Sequence, residues 1–182
     1  MKYKLLLRVL SLLLLFCFAQ CKKQHDTPKT EIEKLPAITH EGKNTFGCLL
    51  NGIAYTPGGG GILDIVLSVQ YDPTFQGGQF IIKTKDLRNI NNNISLYLHA
   101  DSINTPGTYP LLFKSKYWIN YDAVQNNNCS YTNYYTSPVS GFLSLSKFNV
   151  INRIVSGTFA FKFSTVQCGI IDATEGRFDV KY

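Results

Sequence analysis

The chain has 182 residues, of which 45% are hydrophobic and 13% aromatic. That is enough for a single domain with a core of its own. The formal charge of +6 falls to +3 when Lys2, Lys4 and Arg8 are set aside with the N-terminal segment, which takes 18 basic residues to 15 against 12 acidic; with no Lys/Arg cluster left, nucleic acid is excluded as a partner.

In chain order, Lys2, Lys4 and Arg8 precede an apolar run from Val9 to Ala19 that is broken only by Ser11. A spanning helix needs roughly 20 apolar residues. This run is shorter and reads as a secretion signal over residues 1–20. Phe18-Ala19-Gln20-Cys21 is similar to a bacterial lipobox, so Cys21 is expected to carry lipid, while Cys17 is a hydrophobic residue removed with the signal. The expected membrane partner is then reached through acyl chains, with the polypeptide itself in water. Residues 21–43 mix charges, Thr and Pro without apolar periodicity and read as the lipidated cysteine plus a flexible linker, in which His25 and His40 are solvated.

From residue 44 to 182 the dominant pattern has period two, the mark of half-buried strands. It predicts strands around Ile65, Leu67, Val69 and Tyr71; around Phe80 and Ile82; around Ile94, Leu96 and Leu98; around Phe159, Phe161 and Phe163; and around Phe178, Val180 and Tyr182. Asn51-Gly52 between short apolar runs predicts a hairpin, because a type I′ turn needs positive φ at both central residues. The spacing of turn residues gives about nine strands and no helix, hence an all-β antiparallel sandwich or barrel-like sheet ending in a packed Tyr182. Cys48 falls on the same strand face as Phe46 and Leu50 and reads as a buried free thiol. Cys129 and Cys168 lie in polar, loop-like surroundings, and an exported location favours a disulfide between them.

Candidate chemistry is sparse, and the sequence nominates no catalytic residue, metal ligand or cofactor. His99 is the one histidine of residues 44–182; with Asp101 nearby on the polar side of its strand, it reads as a surface residue rather than a base. Asp64, Asp72, Asp86, Asp101, Asp122, Asp172, Glu175 and Asp179 are scattered at strand ends and turns, with no pair set for glycoside hydrolysis. No EF-hand loop or C-x-x-C pair is present. The unusual stretch is 116–138, where Tyr117, Trp118, Tyr121, Tyr131, Tyr134 and Tyr135 alternate with asparagines. Rings with polar tips beside amide donors can stack on sugars, which makes Tyr117, Trp118 and Tyr121 candidate ligand-binding residues. The competing reading puts Tyr117, Ile119 and Tyr121 on a buried strand face. Asp101-Ser102-Ile103 fits a short O-glycosylation sequon, with Ser102 as acceptor.

The lipobox, LPAITHEGKNTFGCLLNG, YDPTFQGGQF, TPGTYPL, IVSGTFAFKF and the terminal TEGRFDVKY together resemble a family of uncharacterised envelope lipoproteins from the Bacteroidota, over nearly the whole chain after the signal. The resemblance implies an envelope location, with the outer membrane expected, and an all-β domain; it implies no activity. Gly52, Gly107 and Gly176 within these motifs suit turns, while Phe178 and Val180 suit a core strand. The functional expectation is a lipid-anchored domain that binds a glycan or an envelope protein without catalysis, the alternative being a hydrolase that uses carboxylates.

Overall fold

The computed structural model describes residues 29–89, 93–123, 129–135, 140–166 and 168–182. The expected signal over residues 1–20, Cys21, His25 and Asn126 to Asn128 lie outside the described residues. The described chain is all β apart from one 3-10 turn, Ile32–Lys34, and its strands form two sheets, mostly antiparallel. The first sheet has the order β2 (Ile53–Tyr55), β1 (Thr45–Leu50), β12 (Gly169–Lys181), β11 (Ile154–Thr165), β10 (Ser140–Asn149), β7 (Gly107–Pro110). The second runs β3 (Gly58–Gly59), β5 (Gln79–Leu87), β6 (Ile94–Ala100), β8 (Tyr117–Ala123), β9 (Cys129–Thr132), with β4 (Leu67–Asp72) also paired to β5. Neither sheet closes on itself, so of the two expected architectures the sandwich is the one observed.

The alternation explains why these segments pair as they do. In β11, Phe159, Phe161 and Phe163 are buried while Ala160 and Lys162 are only half-buried, so one face of the strand is a phenylalanine ladder. Phe46 stacks on Phe159, Phe80 of the second sheet meets Phe178 of the first, and Tyr131 stacks on Phe163. Fully burying a side chain of this kind contributes about 1.5–3 kcal/mol, which is why the two inner faces hold together. Asn51 and Gly52 take φ of 49° and 82°, as the predicted hairpin requires.

Several expectations change. Ile65 does not share the β4 face: the strand begins at Leu67, and Ile65 stays in an exposed loop. Gly176 is not at a turn but inside β12, where the register slips by a bulge beside Phe159. A Cβ at Gly176 would lie 2.3 Å from the Phe159 carbonyl oxygen, so close backbone approach is the reason for glycine there. Gly107 opens β7 rather than a turn.

The linker reading also fails for its second half. Leu35 is buried, Glu31 accepts a hydrogen bond from the Ala54 amide (2.8 Å), and Lys147 donates to the His40 carbonyl (2.6 Å) while His40 itself bonds Ser146. The main attachment is Asp179 on β12, only 1% exposed. Its carboxylate accepts from the Thr39 hydroxyl (2.5 Å), the Ser156 hydroxyl (2.7 Å) and the amides of Glu41 (2.9 Å), Gly42 (2.8 Å) and Lys43 (3.2 Å). A segment without apolar periodicity is thus fixed by its backbone, which composition does not reveal.

Cys129 and Cys168 form a disulfide. Both are buried, and Cys129 opens β9 rather than sitting in a loop. The bridge ties the edge of the second sheet to the β11–β12 turn of the first. Cys48 is a free thiol with no exposure, and burial pushes its pKa far above the ordinary thiol range. Since the thiolate is the reactive form, iodoacetamide at pH 8 is expected to leave Cys48 unmodified in the folded protein and to alkylate it after denaturation. Peptide mass mapping of the two samples checks this.

Candidate functional site

The central strands of the second sheet have two faces of different chemistry. Leu96, Leu98, Ala100, Ile119 and Tyr121 point into the sandwich and are buried. The opposite phase of β6 and β8 carries Tyr97, His99, Trp118 and Asn120. Antiparallel pairing sets His99 beside Trp118 and Tyr97 beside Asn120, with Lys83 and Ile81 next in the same rows on β5. The three rings are nearly parallel: Trp118 lies 4.4 Å from His99 and 4.9 Å from Tyr97 between centroids, with interplanar angles of 18° and 22°. Lys83 extends its ammonium to 5.1 Å from the Tyr97 ring centre, a cation–π contact.

This stack corrects two expectations. His99 is not a surface residue: at 7% exposure it is buried beside the rings of Trp118 and Tyr97. Its Nε2 lies 2.9 Å from Asp101 Oδ1, which also accepts from the Gln79 side chain at 3.0 Å. Its Nδ1 is buried without a partner. An orphaned lone pair costs less than an orphaned N–H here, so the network assigns the proton to Nε2, donated to Asp101. With Nε2 held by Asp101 and Nδ1 shielded from solvent, the ring is fixed against Trp118.

The second correction concerns the predicted trio. Trp118 is on the outer face, but Tyr121 is in the core against Phe163, and Tyr117 faces inward against Tyr109. The three do not form one site. Other residues of the aromatic and amide-rich stretch are structural: Tyr131 packs on Phe163, and the wholly buried Asn133 accepts from the Ile119 amide (2.7 Å) and donates to the carbonyls of Leu112 (2.7 Å) and Tyr117 (3.0 Å). Asn133 therefore fixes the backbone on both sides of Trp118, so the indole is carried on a rigid strand. Tyr134 and Tyr135 are exposed and contact each other edge to face.

Tyr97 and His99 are the residues missed by the sequence reading as partners of Trp118. The available signal was three ring-bearing residues on the polar phases of two strands, and it becomes a site only when the register of β6 and β8 is known. Around the rings lie Gln79, Lys83, Asp101 and Asn120, and the Asn120 Oδ1 is buried and without a hydrogen bond. An indole with flanking amides, an ammonium and a carboxylate can stack on the apolar face of a pyranose and hydrogen-bond its hydroxyls.

The carboxylates are occupied elsewhere. Asp86 binds Arg88, Asp122 accepts from Ser130, Asp172 pairs with Lys162 and Glu175 with Arg177, while Asp64 and Asp72 close local turns with Gly61 and Thr74. Among the described residues no group of three or more His, Cys, Asp or Glu side chains is arranged to hold a metal ion. Ser102, at φ 59°, donates to the Gln76 carbonyl (2.9 Å) and accepts from Lys116 (3.2 Å), at the edge of the same face. Compared with known proteins, the chain matches no family, no curated sequence and no solved structure.

Proposed function

We propose that this protein is a lipid-anchored cell-envelope lipoprotein whose β-sandwich binds a saccharide without catalysis. The observation that carries the reading is the Tyr97–His99–Trp118 stack on the outer face of the second sheet, held rigid by Asn133 and bordered by Gln79, Lys83 and Asn120. Preorganised rings of this kind lose little entropy on binding. Lipidation of Cys21 and an outer-membrane location belong to the same proposal, supported by the N-terminal pattern and by the resemblance to the Bacteroidota lipoproteins. Catalysis by carboxylates receives less support, because Asp101 is engaged by His99 and Gln79 and the remaining domain carboxylates have local partners.

Binding of the mature protein to an array of bacterial and plant polysaccharides tests the proposal. The wild-type chain is expected to bind at least one glycan, and Trp118→Ala to weaken that binding by about fivefold or more, since loss of an aromatic contact costs roughly 1 kcal/mol or more. Tyr134→Ala, outside the stack, should leave it unchanged. No bound glycan, or equal binding by Trp118→Ala, would remove the saccharide reading.

A further inference from the structure

Beyond the ring stack, the most exposed apolar residues near the start of the described chain are in the β3–β4 loop, where Ile62 is 103%, Leu63 94% and Ile65 72% exposed. Burial of such side chains in an apolar medium is favourable, yet nothing among the described residues covers them. The loop is a built turn: Gly61 and Asp64 exchange two hydrogen bonds, Gly58 and Gly59 pair in parallel with Asp86 and Leu87, and the Lys85 amide donates to the Val66 carbonyl. Apolar tips held out on a fixed frame call for an apolar partner.

The position of the loop identifies that partner. Val66, at its foot, lines a cleft of about 350 Å³ together with Lys34 and Pro36 of the N-terminal segment. That segment is pinned beside β2 where Glu31 accepts the Ala54 amide, next to the exposed Ile53. From Cys21 to Lys29 there are eight residues, which reach at most about 28 Å when fully extended. A lipid on Cys21 therefore keeps this edge of the domain within one short span of the bilayer.

We infer that the Gly60–Val66 loop docks on the membrane surface, placing Ile62, Leu63 and Ile65 at the boundary between headgroups and acyl chains as a second attachment beside the lipid. This rests on the lipoprotein reading of Cys21, and two attachments hold a protein far more firmly than one. It also fixes the orientation of the domain, which a tether alone does not.

The test uses the full mature chain, reconstituted in vesicles of phosphatidylethanolamine and phosphatidylglycerol. Trp118 is the sole tryptophan, so Leu63→Trp in a Trp118→Phe background is a single reporter. The expected result is blue-shifted emission quenched severalfold by brominated acyl chains. Water-like, unquenched emission from protein whose intact mass shows lipid on Cys21 would overturn the docking while leaving the anchor standing. If the mass shows no lipid, the anchor reading fails; the same emission with added vesicles then decides docking alone, quenching upholding it and its absence overturning it. A dimer that Leu63→Asp splits, seen by sedimentation with the reporter unquenched, would assign the loop to a second copy instead.

Discussion

Replacing Asp179 by alanine is expected to release residues 39–43 from the sandwich and to lower the unfolding free energy by roughly 3 kcal/mol, the scale of loss when buried hydroxyl and amide donors are deprived of a charged acceptor. Five donors converge on this one carboxylate: two hydroxyls, Thr39 and Ser156, and three consecutive amides, Glu41 to Lys43. Ser156 belongs to the neighbouring strand β11, so the same side chain ties together strand, strand and N-terminal segment. Hydrogen exchange should show the amides of Glu41, Gly42 and Lys43 turning from slow to fast, with those of β11 and β12 less affected. If they remain protected in the variant, the carboxylate is not what holds the segment.

The same site gives the protein an acid limit. Burial works to raise the Asp179 pKa, but the Thr39 and Ser156 hydroxyls and the Glu41 and Gly42 amides outweigh it and hold the carboxyl well below the usual carboxylate range. The native state then binds fewer protons than the unfolded chain, whose aspartate titrates near 3.9. The contribution is complete above about pH 4 and declines as pH falls toward the folded pKa. Asp179→Asn, which keeps an acceptor but has no charge to titrate, is expected to lose part of the stability at pH 7 and to flatten this acid slope. Denaturant midpoints between pH 2 and pH 7 report both.

What could be read from the sequence divides along a physical line. Period-two burial sets the phase of a strand: β6 and β11 alternate around Leu96 and Phe161 as expected, while β5 and β12 keep Phe80 and Phe178 on the core face but also bury Ile81 and Asp179 on the other. The Asn51-Gly52 turn is legible because two residues alone satisfy its φ requirement. The Asp179 network is not legible: its donors are mostly backbone amides some 137 residues away in sequence, and every residue except proline has an N–H to give. The ring stack was half legible, since Trp118, Tyr97 and His99 all stood out of phase with the core. Bringing them together needs the pairing of His99 with Trp118, and neither strand encodes that register alone. Tyr117 and Tyr121 share the inward face with Ile119, as the competing reading expected, because alternate residues of a strand point to opposite sides; only Trp118 of the three ligand-binding candidates faces out.

Loss of the Cys129–Cys168 disulfide is expected to cost about as much as any single change in the protein. The cysteines are 39 residues apart, and in the chain-entropy account a cross-link closing a loop of that size stabilises by about 4 kcal/mol through the unfolded ensemble. The native contribution is concentrated at one corner. β9 is a four-residue strand whose ladder neighbour among the described strands is β8, and the bridge is its covalent link to the β11–β12 turn, two residues before the Tyr131 ring that stacks on Phe163. Cys48 offers no substitute thiol, because it is buried in the core on β1. The double variant Cys129→Ser/Cys168→Ser should therefore unfold at a lower denaturant midpoint, and reductant should lower the wild-type midpoint by the same amount while leaving the variant unmoved. Near-ultraviolet circular dichroism should lose aromatic signal first, as the Tyr131–Phe163 stack loosens before the central strands. A wild-type midpoint indifferent to reductant would mean that β9 is held by packing alone.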